Sequence, residues 1–186
     1  MCSSDLVLLT GVSRFSRVSI FSELNNLYDL SMDDAYADML GYTQEELETC
    51  FAPHIAALAR HLDWTPAAVT AKLAQQYNGY RFAKREVRVY NPFSILSAFQ
   101  AREFGNYWFT SGTPTFLVNL LNQERYDLTK MEKLEVGQST FATFEIDRLR
   151  LEALLLQTGY LTIKEVQGPV YTLDYPNQEV KTDFTE

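Results

Sequence analysis

The stretch LVLLTGVSRFS, residues 6 to 16, restricts the fold more than any other: a continuous apolar run halts at Gly11 and passes at once into Ser13 and Arg14. A short apolar run without alternation, closed by glycine, fits a strand buried on both faces, as in parallel sheets covered by helices. In open α/β sheets ligands bind beyond the carboxyl ends of such strands, which puts Thr10, Ser13 and Arg14 at that rim. One strand makes no sheet, and no βαβ unit comes before it in the 186 residues. The expectation is a core strand whose partner strands are missing from this chain.

Downstream the pattern turns helical. Ser31, followed by Asp33 and Asp34, opens a predicted helix that runs to Leu40 and ends at Gly41. Thr43 and Glu46 form a capping box ahead of the stripe Leu47, Phe51, Ile55, Leu58 and Leu62. Pro53 is expected to kink or split that helix near Thr49 to Ala52. Thr65 with Pro66, Asn91 with Pro92 and Thr113 with Pro114 repeat one signal, a capping side chain before a proline at the first helical position. The Asn91 helix is expected to turn Ile95, Leu96 and Phe99 inward, and the Thr113 helix to carry Phe116, Leu117, Leu120 and Leu121 as its stripe. Between these helices Asn78 and Gly79 mark a turn, and Val87 to Tyr90 a short strand or extended arm.

An amphipathic helix from Ile146 to Thr158, closed by Gly159, leads into two β-rich runs, Tyr160 to Val166 and Val170 to Tyr175. Gln167, Gly168 and Pro169 join them. A helix followed by a two-stranded hairpin outlines a winged-helix unit, and Pro176 with Asn177 begins one more helix. The fold class expected is mostly α with small β elements, α+β.

In the same order, the blocks TGVSRFSRVSIFSELNNLYDLS, GYTQEELE, YNGYRF, VYNPFS, NYWFTSGTPTFL, LLQTGYLTI and YPNQEV resemble the AAA-ATPase-like proteins that usually carry a PD-(D/E)XK nuclease-like domain after the ATPase part. The resemblance extends from Leu6 to about Phe184. It implies that Leu6 to Val12 is an orphan core strand of a P-loop NTPase-type sheet, with the phosphate loop upstream and the nuclease-like domain downstream. It also implies ATP and magnesium in the intact protein, with neither expected on this fragment. No GxxxxGK[ST] string, the backbone cradle and lysine that hold phosphates, occurs in the chain. Residues 1–6 are expected to be a non-native leader, because CSSDL is one reading frame of a common sequencing-library adapter end. Residues 7–40 would be the remnant of the ATPase core, 41–128 a helical lid region, 129–176 the winged-helix-like unit, and 177–186 the start of a further domain.

Arg14 has two readings. At the end of a strand beside a P-loop, a guanidinium matches phosphate oxygens bidentately, and Thr10 and Ser13 would flank it near the nucleotide. Otherwise Arg14 is a structural partner for Asp29 or Glu23. The aromatics of YNGYRF and YNPFS, with Arg81, could stack a base or a peptide, although core packing is favoured. Arg148 and Arg150 are the nucleic-acid candidates of the winged-helix-like unit, but from residue 130 onward ten acids oppose six basic residues. The net charge of -8 also repels a phosphate backbone. Nucleic-acid binding by this chain alone is therefore disfavoured, while a protein partner stays open. Cys50, His54 and His61 lack the further ligand that a zinc site needs. Cys2 and Cys50 make no disulfide framework, and no spanning segment occurs, so a cytoplasmic location without a membrane partner is expected.

Overall fold

The computed structural model describes residues 28–111, 132–141 and 151–185. The architecture is α+β, with helices packed beside two small antiparallel sheets. Local chemistry sets most helix boundaries. Thr43 caps α1 (Gln44–Cys50): its Oγ1 accepts from the Glu46 N–H at 3.2 Å, while the Thr43 N–H donates to Glu46 Oε2 at 2.9 Å. Pro53 then splits the long stripe. The first helix stops at Cys50, and α2 (Ala52–Leu62) starts afresh with proline in its first turn, where a missing N–H costs nothing. Thr65 caps α3 (Pro66–Tyr77) through Ala68 N at 3.2 Å, and Asn91 caps α4 (Pro92–Ala101) through Phe93 N at 2.9 Å. These helices enclose a first core of Leu47, Ile55, Leu58, Val69, Leu73 and Ile95, all 5% exposed or less.

The strands β1 (Asn78–Tyr80) and β2 (Val89–Tyr90) pair antiparallel at the edge of this core. The second sheet consists of β3 (Leu134–Gly137), β4 (Thr162–Gln167) and β5 (Val170–Asp174) in the order β3-β5-β4, every pairing antiparallel. Before its hairpin stands α5 (Leu151–Gln157), which Gly159 ends at φ +82 while Tyr160 N–H reaches back to Leu155 O at 2.9 Å. The last helix, α6 (Gln178–Thr185), is capped by Asn177 Oδ1, which accepts from Val180 N at 3.1 Å. Leu154, Leu155, Leu161, Ile163, Tyr171, Leu173 and Val180 form the second core.

Three expectations are corrected. Ser31 to Leu40 is not a helix: it holds one short 3-10 turn, Asp34–Tyr36, capped by Asp33. Arg85 ties this segment down, its N–H donating to Asp34 Oδ1 at 2.6 Å and its guanidinium pairing with Asp38, so tertiary bonds override the helical start signal. Asn78 and Gly79 are not a turn but strand, because Gly79 runs at φ +128 against the backbone of Pro176; the chain reverses in residues 81–88 instead. Leu96 is not inward but 49% exposed, like Phe93, since α4 turns Ser94, Ile95 and Ala98 to the interior.

Candidate functional site

The residues first singled out from sequence, Thr10, Ser13, Arg14, Arg148 and Arg150, all lie outside the described residues. So does the predicted Thr113 helix. Arg81 is described, and it is a structural residue: 5% exposed, it donates from Nε to Ala83 O at 3.0 Å, from Nη1 to Lys164 O at 3.3 Å, and from Nη2 to Lys84 O. Its guanidinium thus fixes the 81–88 reversal and fastens it to β4. Cys50 and His54 are exposed, the His54 ring packing beside Phe51 and Phe99. Among the described residues no group of three or more His, Cys, Asp or Glu could hold a metal ion.

What the fold does assemble is a buried polar junction, built from four of the blocks named above. Glu179, fully buried on α6, is its centre. Its Oε1 accepts from the N–H groups of Tyr107 at 2.6 Å and Trp108 at 3.0 Å, and its Oε2 accepts from Ser94 Oγ at 2.8 Å. VYNPFS, NYWF and YPNQEV therefore meet, and YNGYRF joins them where Gly79 lies against the Pro176 backbone, although Ser94 and Glu179 are 85 residues apart in sequence. A buried carboxylate is tolerable only when hydrogen-bonded, and these donors supply that compensation. In the sequence Glu179 falls in the YPNQEV block, within residues 177–186 that were expected to open a further domain. The signal that could have found it was an acid in the first turn of a helix, beside an asparagine cap and directly before the apolar Val180.

Around the carboxylate the remaining polar groups are packed tightly. Tyr77 Oη donates to Gly105 O at 2.9 Å and accepts from Gly105 N–H at 3.2 Å, and Gln76 donates to Asn106 Oδ1 at 3.1 Å. Burial, with the Glu179 charge nearby, pushes the Tyr77 and Tyr80 hydroxyls up from their ordinary pKa, so both stay protonated across the physiological range. Arg81 N–H donates to Thr162 Oγ1 at 2.7 Å, and Thr162 Oγ1 donates to Arg81 O at 3.1 Å, linking β1 to β4. Lys164 donates to Pro176 O at 3.0 Å; burial, with Arg88 close by, holds its pKa below the usual lysine value. The junction interlocks the two cores.

The helix and hairpin expected to form a winged-helix-like unit present little charge of the kind a nucleic acid needs. Along α5 Leu151, Ala153, Leu154 and Leu155 are buried and Glu152, Leu156 and Gln157 half-buried, so no residue of the described helix is exposed. On the hairpin the exposed residues are Glu165, Gln167, Gly168, Pro169 and Val170, none of them basic. A surface depression of about 420 Å³ lies elsewhere, between Met32, Asp34, Lys84, Gln138, Phe141 and Tyr171.

The chain is similar to a protein of Azotobacter chroococcum mcd 1 described as uncharacterized and lying in the vnfD 5' region, with 43% identity over 183 residues. The match takes in 96% of this chain and 33% of that protein, so the chain spans about a third of the curated relative's length. No protein-family model and no solved structure matches. No helix among the described residues is long and apolar enough to cross a membrane.

Proposed function

We propose that this chain serves as the lid and support of an AAA-ATPase-like nucleotide-binding module within a longer polypeptide, in which Thr10, Ser13 and Arg14 face the nucleotide. The observation that carries this reading is the enclosure of α5, whose described residues are all buried or half-buried. A helix that reads a nucleic-acid groove needs an exposed polar face. A helix whose described residues are all buried or half-buried is a packing element, which suits a rigid lid. The interlock at Glu179 supports the same reading, because it makes the helical array and the hairpin unit one body. ATP and magnesium are assigned to the whole module, since this chain has no GxxxxGK[ST] string.

The test is ATP turnover by the longer polypeptide, with Arg14→Ala expected to lower kcat about 100-fold or more, as loss of a phosphate-facing guanidinium does. The chain on its own is expected to show no turnover. Turnover by residues 7–186 alone would sink the proposal.

A second reading, a nucleic-acid or protein interaction module, draws on the strand order β3-β5-β4 with a helix before the hairpin, the arrangement of winged-helix units. It requires salt-sensitive binding that weakens when Arg148 and Arg150 become alanine. The acidic and neutral hairpin surface counts against the nucleic-acid form of it.

A further inference from the structure

We infer that Tyr36, Met39 and Leu40 form a docking face for an apolar surface of the longer polypeptide outside this chain. The inference rests on reading the chain as part of such a polypeptide, and not on the nucleotide. The stretch Tyr36 to Leu40 is turned inside out. It buries Ala37 at 1% exposure and half-buries Asp38, while Tyr36, Met39 and Leu40 stand 42%, 48% and 65% exposed. Two successive turns run through it, Tyr36 N–H donating to Asp33 O at 3.1 Å and Met39 N–H to Tyr36 O at 3.2 Å. Residues three apart eclipse one another in such turns, so Met39 follows Tyr36 on one side and Leu40 adjoins them.

This exposure is not that of a loose end. Arg85 N–H holds Asp34 at 2.6 Å and its guanidinium holds Asp38, while just beyond Leu40 the Tyr42 and Tyr90 backbones exchange bonds of 3.3 and 2.8 Å. A segment fastened at both ends thus holds its large apolar side chains outward. Single exposed apolar residues are ordinary on a protein surface, whereas a contiguous group marks a contact. The size of the group selects the occupant. Two separate chains need roughly 1,200 Å² or more of buried surface to stay together, far beyond what three side chains supply. A partner on the same polypeptide needs less, because tethering gives it a roughly millimolar effective concentration. The Azotobacter relative has room for such a partner, since the match takes in 33% of its length. With a net charge of -8 on this chain, the facing surface is apolar at its centre and neutral or basic at its rim.

The test is hydroxyl-radical footprinting, read by mass spectrometry, of this chain and of the longer polypeptide. Tyr36, Met39 and Leu40 are expected to be oxidised several-fold more slowly in the longer polypeptide. Met39→Glu should restore the faster rate at Tyr36 there, while shifting the Tm of the 186-residue chain by no more than about 2 °C, as for a surface substitution. Equal rates in the two proteins overturn the inference. So does protection already present in the shorter chain, whether its own residues or a second copy, seen as a concentration-dependent dimer, provide it. ATP turnover by the longer polypeptide separates this inference from the lid reading: protection without turnover upholds the docking face and sinks the nucleotide, and turnover without protection does the reverse.

Discussion

Glu179 accepts from the Tyr107 and Trp108 amides and from the Ser94 hydroxyl. Glu179→Ala removes the acceptor that the Tyr107 and Trp108 amides and the Ser94 hydroxyl share, at about 1–3 kcal/mol for each bond lost. The expected loss in urea unfolding is therefore about 3 kcal/mol or more. Glu179→Gln should cost far less, about 1 kcal/mol, because its Oε1 still accepts both amides and the Ser94 hydroxyl can rotate to accept from Nε2. Equal losses for the two variants would show that shape, not hydrogen bonding, is what the junction needs. Gly79 gives a second contrast. A Cβ there would lie 2.1 Å from Pro176 O at φ +128, whereas at Gly168, φ +59, nothing lies within 4 Å. Gly79→Ala is expected to cost at least about 2 kcal/mol, and Gly168→Ala about 1 kcal/mol from its left-handed backbone alone. Denaturation midpoints of the two variants check the ranking.

At the scale of elements, the sequence was legible wherever a boundary is decided by neighbours in the chain. The capping box of Thr43 and Glu46, the break at Pro53, the Thr65 and Asn91 caps and the Gly159 stop all depend on residues within one helical turn, and all are present. Thr65→Ala should accordingly cost about 1 kcal/mol, read as a lowered urea midpoint. Misreadings occurred where a distant partner decides. Asn78-Gly79 reads as a turn until Pro176 is set against it, Leu96 reads as inward until Ser94 is drawn to Glu179, and the Ser31 segment reads as a helix until Arg85 binds Asp34 and Asp38. The candidate site suffered most from this. Its members come from four separated stretches, and no local pattern announces that they meet. The rim residues Thr10, Ser13 and Arg14 fall outside the described residues, so they enter only through the proposed function.

Across the whole molecule two apolar cores are joined through polar contacts, and each core carries its own reporter: Trp64 stacks on Phe104 beside the helical core, and Trp108 packs against the sheet core. Single-tryptophan versions, made with Trp108→Phe or Trp64→Phe, should show coincident unfolding in the parent and separated transitions once Glu179→Ala is added. Coincident curves in the mutant would mean that apolar contact alone couples the cores. Alkali should act on both at once. Burial pushes the Tyr90 hydroxyl up to about 12 from 10.0, and raises those of Tyr77 and Tyr80 as well. These groups stabilise the fold fully below pH 10, where the tyrosines are neutral in both states. As pH rises from 10 towards 12 the unfolded chain loses its protons first, and that stability drains away. Urea midpoints measured across this range should fall steeply, and ionisation of these phenols should coincide with unfolding. The long reach from Ser94 to Glu179 also orders events during synthesis. Emerging from the ribosome, the nascent helical array must wait, with the Tyr107 and Trp108 amides bonded to solvent, until translation has delivered the acid that clamps it. Closure of so wide a loop is slow, and a chaperone would find that half-made surface open for longer than any other.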